Sequence, residues 1–137
     1  MKAWLADTGP LVALLAANES LHAWCIEQAK SAPATLMTCD AVITETLFLL
    51  KRGGHDTDKL FDLIESGFLR SDFDLHAEYR AVRDLMRRYR EMPMSFADAC
   101  LVRLAEIHGD AVVWTLDRDF HIYRRHRRQT IPLVTPF

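Results

Sequence analysis

The sequence predicts an α/β fold built on a mostly parallel sheet covered by helices on both faces. Short apolar runs that read as strands, such as Ala3-Trp4-Leu5-Ala6 and Val112-Val113-Trp114-Thr115-Leu116, alternate with longer segments of helical period. No repeat, low-complexity segment or linker interrupts this alternation. The chain has 137 residues, 50% of them hydrophobic, so one domain spanning 1–137 with a real core is expected.

Residues 3–6 read as a short buried strand. Thr8-Gly9-Pro10 then opens a helix through Ala17, with proline in the favoured first turn. Asn18-Glu19-Ser20 breaks it, and Ser20 is the expected cap of a second helix to about Lys30. Residues 34–38 form a candidate second strand. Asp40 is the expected cap of a helix ending near Arg52, stopped by Gly53-Gly54. A shorter amphipathic helix spans 58–66, and 68–70 is a third strand. The clearest helix runs over 75–90. Leu75, Tyr79, Val82, Met86 and Tyr89 share one stripe, with arginines on the rest. Ser95 and Asp98 have capping-box spacing before an apolar helix. Residues 111–116 are the strongest strand. Residues 131–134 form a last one, which Pro132 confines to an edge.

The net charge of −2 gives no bulk attraction to polyanions, but the charge is uneven. Arg124, Arg125, Arg127 and Arg128 carry +4, leaving −6 on the remainder. An acidic body beside a basic segment fits a metal site next to a polyanion-binding edge, the plainer alternative being that the arginines form a solvated surface turn. Cys25, Cys39 and Cys100 show no zinc spacing and read as buried thiols of a reducing cytoplasm. No apolar run approaches the roughly 20 residues needed to cross a bilayer. No signal peptide is seen before Asp7, so a cytoplasmic protein is expected.

Asp7, Glu45, Asp98 and Asp117 fall where strands should end or helices begin, so they can converge. A carboxylate cluster repels itself unless cations hold it together, and oxygen ligands favour Mg²⁺ or Mn²⁺. Each residue also has a plainer account. Asp7 serves as a cap, though Thr8 could do the same. Asp98 is explained by its capping box, and Asp117 by a strand-end turn. Glu45 has only Ala41, Val42, Phe48 and Leu49 at helical spacing. It reads as a buried, unpaired carboxylate that needs a cation or donor. Asp119 and Asp40 rank lower.

These residues sit in motifs. The segment Leu5-Ala6-Asp7-Thr8-Gly9-Pro10-Leu11-Val12-Ala13-Leu14-Leu15 resembles the first motif of PIN-domain ribonucleases. Thr44-Glu45-Thr46 resembles the second, Ser95-Phe96-Ala97-Asp98-Ala99 the third, and Trp114-Thr115-Leu116-Asp117-Arg118-Asp119-Phe120 the fourth. Their order and spacing match over nearly the whole chain. The size resembles VapC-type toxins of toxin–antitoxin pairs. The resemblance implies a three-layer α/β/α sandwich and a metal-dependent endoribonuclease, often a homodimer and usually inhibited by a small antitoxin. It implies Asp7, Glu45, Asp98 and Asp117 as metal-binding acids. It makes Thr8 and Thr115 flanking polar positions, and Asp119 an accessory acid.

The expected reaction is hydrolysis of RNA phosphodiesters with Mg²⁺ or Mn²⁺, the four arginines holding the backbone without reading sequence. Two other classes compete. A metal-dependent phosphatase with an aspartyl nucleophile fails at Asp7-Thr8-Gly9, which lacks a second Asp two residues on. A non-catalytic RNA- or protein-binding module would use the carboxylates only as caps.

Overall fold

The computed structural model describes residues 2–137. Five short strands form one parallel sheet: β1 (Trp4–Ala6), β2 (Leu36–Thr38), β3 (Leu69–Ser71), β4 (Val112–Trp114) and, after a hairpin, β7 (Leu133–Val134). Their spatial order is β3-β2-β1-β4-β7. Six α-helices carry the crossovers: α1 (Thr8–Leu15), α2 (His22–Ser31), α3 (Asp40–Arg52), α4 (Asp58–Glu65), α5 (Leu75–Arg88) and α6 (Phe96–Ile107). The hairpin pairs β5 (Arg124–Arg125) with β6 (Gln129–Thr130) in antiparallel fashion, apart from the main sheet. The mostly parallel α/β fold expected from the alternating pattern is the one observed.

The order of strands decides where a site can form. From β1 the chain builds outward through β2 to β3, then returns to the other side of β1 for β4. The crevice beyond the carboxyl ends of β1 and β4 is therefore the topological switch point. Trp4 pairs with Val112, Leu5 with Val113 and Ala6 with Trp114, so these two ends are level. Both strands are central. Leu5, Ala6, Val113 and Trp114 are fully buried, which is why these segments read as continuous apolar runs. The edge position of β7 accommodates Pro132, whose carbonyl still accepts from Val113 N at 2.9 Å.

Several local expectations change. Ser20 does not cap α2; that role falls to Leu21, without a side-chain bond. Cys39 precedes α3, and Asp40 is its first residue, where its carboxylate accepts from Ser71 Oγ rather than from the helix end. The α5 stripe is only partly a core face. Val82 and Leu85 are buried, whereas Leu75, Tyr79 and Met86 are 42%, 43% and 36% exposed. The main packing partner of α5 is α6, and the outer stripe is left uncovered. It forms an open apolar trough with Phe96, rimmed by Arg83, Arg87 and Arg90.

Candidate active site

Asp7 follows β1 directly and caps α1. Its Oδ1 accepts from Thr8 N at 2.8 Å, and its Oδ2 accepts from Thr115 Oγ1 at 2.7 Å. The choice between Asp7 and Thr8 as cap is thereby settled for Asp7. Thr8 instead donates its hydroxyl to Glu45 Oε2 at 3.0 Å. Thr115, just past β4, links two acidic positions, since its oxygen also accepts from Asp117 N at 2.9 Å. Asp117 accepts from Asp119 N at 2.9 Å and so starts the 3₁₀ turn Arg118–His121.

Asp98 is the third residue of α6. The capping box expected from its spacing is present: Ser95 Oγ accepts from Asp98 N at 3.0 Å, and Ser95 N donates back to Asp98 Oδ2 at 3.3 Å. The same Oδ2 accepts from the buried Tyr123 hydroxyl at 3.0 Å. Nothing in the sequence singled out Tyr123, a lone aromatic 25 positions from Asp98.

Asp7, Glu45, Asp98 and Asp117 line one cavity of about 360 Å³, together with Thr8, Gly9, Pro93, Ser95 and Leu116. Gly9 suits this closeness. A Cβ there would lie 3.2 Å from the Leu116 Cβ, a tight contact that Leu116 would have to ease by a few tenths of an ångström. Thr115 does not line the cavity but braces Asp7 from behind. Asp119 stands outside it, contributing its backbone N–H to Asp117.

Burial differs among the four acids. Asp7 and Asp98 are only 6% and 7% exposed. Glu45 is exposed, which corrects its reading as a buried carboxylate: the apolar neighbours on its own helix do not enclose it, because its side of α3 faces the open cavity. Desolvation pushes the Asp7 pKa from 3.8 up to about 7, against its two hydrogen bonds and with added repulsion from Asp98 and Asp117. Desolvation also raises Asp98, partly offset by its hydrogen bonds from Tyr123 and Ser95.

The donor chemistry suits a hard cation. All four acids offer oxygen, and two are buried close enough to repel. Among the described residues no hydrogen bond falls on Asp98 Oδ1, Glu45 Oε1 or Asp117 Oδ2, whereas both Asp7 oxygens have donors. As the side chains stand, no three acidic, histidine or cysteine residues among the described residues are grouped tightly enough to hold one ion. The residues fit a divalent cation in donor type and in lining one cavity.

The four arginines divide. Arg124 donates to the carbonyls of His121, Ile122 and Tyr123, at 2.7–3.1 Å, and Arg125 donates to that of Gly109 at 2.7 Å. Arg127 and Arg128 are exposed at the hairpin tip. The tip is tied to the far end of α6, where His126 N donates to Glu106 Oε2 at 2.7 Å. At about 1.5 Å of rise per residue, that is roughly 12 Å along the helix from Asp98.

A parallel sheet in this order, with acids gathered at its switch point, defines an α/β protein with an acidic pocket. The chain belongs to the PIN-domain family, whose model matches residues 5–125. Among solved structures it is similar to VapC20 of Mycobacterium tuberculosis, a toxin that cleaves the sarcin–ricin loop. The TM-score is 0.74 at 24% identity, covering 85% of this chain and 92% of that one. No curated protein matches the sequence significantly.

Proposed function

We propose that the chain is a metal-dependent endoribonuclease that hydrolyses RNA phosphodiester bonds, and that it acts as the VapC-type toxin of a toxin–antitoxin pair. The observation that carries this is the convergence of Asp7, Glu45, Asp98 and Asp117 on one cavity at the switch point of a PIN-family fold. The likeness to an RNA-cleaving toxin supports the substrate class.

Asp98, Glu45 and Asp117 each have an oxygen without a protein donor, and these would hold Mg²⁺ or Mn²⁺ together with Asp7. When bound, the ion supplies a Lewis acid for the scissile phosphate and lowers the pKa of the attacking water. Thr8 and Thr115 orient Glu45 and Asp7 through their hydroxyls. Thr115 also holds the backbone before Asp117, and Asp119 N–H holds its Oδ1, so Asp117 is set from two sides. Arg127 and Arg128 are left to meet phosphates away from the scissile bond, while Arg124 and Arg125 brace the hairpin. The reading includes a homodimer and a small antitoxin that blocks the pocket. It places the protein in the cytoplasm, where its three free, buried cysteines would stay reduced. No helix among the described residues is long and apolar enough to cross a membrane.

Purified protein should cleave RNA with Mn²⁺ or Mg²⁺ and stop in EDTA. Asp98→Asn and Asp117→Asn should lower single-turnover cleavage at least about a hundredfold, as loss of a ligand or its charge in a metal site does. Asp119→Asn should lower it less. Cleavage that persists in EDTA, or in Asp98→Asn, removes this reading.

A further inference from the structure

We propose that Tyr123 is a positioning residue for Asp98: its hydroxyl holds Oδ2 and thereby keeps Oδ1 for a divalent cation. This rests on the nuclease reading above and adds a residue that none of the acidic motifs contains.

Asp98 Oδ2 has two donors, and they are unequal. Ser95 N lies at 3.3 Å, long for an N–H···O bond, while the Tyr123 hydroxyl lies at 3.0 Å. Both bonds fall on the carboxylate, which strengthens each, and the phenol's is the shorter, so the phenol does most to stop the carboxylate rotating about its last bond. Asp98 Oδ1 has no donor among the described residues, and Asp98 lines the cavity. Without the phenol, either oxygen could turn toward the pocket.

Tyr123 is itself fixed. It is fully buried. Tyr89 and Phe120 meet its ring edge-on, each with centroids 5.2 Å away and interplanar angles of 68° and 83°. Tyr89 in turn accepts from Arg124 N at 2.9 Å. The Asp98 carboxylate is thus set by a ring that α5, the 3₁₀ turn and the hairpin hold together, as ligands in metal sites are oriented by partners outside the ligand shell. A plainer account exists: a buried phenol must donate somewhere, and Asp98 is close.

Tyr123→Phe separates the two, because it removes one hydroxyl and keeps the ring. Tyr89→Phe removes a hydroxyl of the same aromatic cluster that does not touch Asp98. For wild type and both variants, the rise in Tm with MnCl₂ concentration and single-turnover RNA cleavage would be measured. Tyr123→Phe should need roughly tenfold more Mn²⁺ for half the Tm rise and should lower kcat with KM for RNA unchanged. Tyr89→Phe should lower the starting Tm but keep the wild-type Mn²⁺ midpoint. A wild-type midpoint and kcat in Tyr123→Phe, or equal weakening in both variants, overturns the assignment while the nuclease reading stands. A wild type with neither a Mn²⁺ response nor cleavage removes both.

Discussion

Asp7 shows how one residue can serve the fold and a site at opposing cost. One of its hydrogen bonds caps α1 and the other ties it to Thr115, yet burial pushes its pKa up to about 7. The sign of the consequence follows from proton counts. In the unfolded chain Asp7 loses its proton near its ordinary value of 3.8; in the metal-free folded chain it does so near 7. Between those values the unfolded state binds fewer protons, so stability falls as pH rises across the window and levels off above it. The whole effect is on the order of a few kcal/mol. Thermal melts in EDTA from pH 4.5 to 8 should show this fall, and Asp7→Asn should flatten it. A variant curve parallel to that of the wild type would remove the assignment. Metal should bind more tightly as pH rises through 7, because the ion must displace that proton.

At the scale of elements, helix starts do the positioning. Asp7 sits at the start of α1 and Asp98 in the first turn of α6, where backbone N–H groups and the helix dipole favour negative charge. Glu45 differs: it projects from mid-α3 and is steered by a threonine on α1. The hairpin is an element whose arginines do different work. Arg127→Ala with Arg128→Ala should weaken RNA binding and flatten its salt dependence by up to about 0.7 for each phosphate no longer neutralised, at unchanged Tm. Arg124→Ala should cost about 1 kcal/mol of stability, because three carbonyls lose a donor. Filter-binding affinities over a salt series, with melts alongside, would check both. An unchanged salt slope in the double variant would show that the tip faces away from RNA.

For the whole molecule, the strand order matters more than any one interaction. It brings Asp7 and Asp117, 110 positions apart, to adjacent strand ends, and the packing of α3 on α6 brings Glu45 and Asp98 to the same opening. The metal-free fold carries the repulsion of that assembly, so a cation should stabilise it by mass action. At a hundredfold excess over Kd the gain is about 2.7 kcal/mol, which for a chain of this size is a rise in Tm of several degrees. Calorimetry with and without Mg²⁺ or Mn²⁺ would measure it. No shift at millimolar metal in the wild type would argue that the four acids do not form a cation site.

Much of this was legible in the chain itself. Continuous apolar runs at 3–6 and 111–116 mark strands buried on both faces, and Ser95 with Asp98 marks a helix start, because both signals are local and periodic. Three of the four acidic positions, Asp7, Asp98 and Asp117, were legible because each lies at an element boundary, while Glu45, inside α3, stood out as a lone charge among apolar helical neighbours. Other features are set by neighbours remote in sequence. The same stripe on α5 would be core or surface depending on what packs over it, and here α6 covers just one side of it. Glu45 looked buried from its own helix but faces an opening made by others. Arg124 and Arg125 looked free until the fold supplied carbonyls. Tyr123 carries no local pattern at all, since its role exists only once the aromatic cluster and α6 meet. Sequence period and caps decide which segments form elements; the packing of those elements decides which polar groups are enclosed, partnered or left for a ligand.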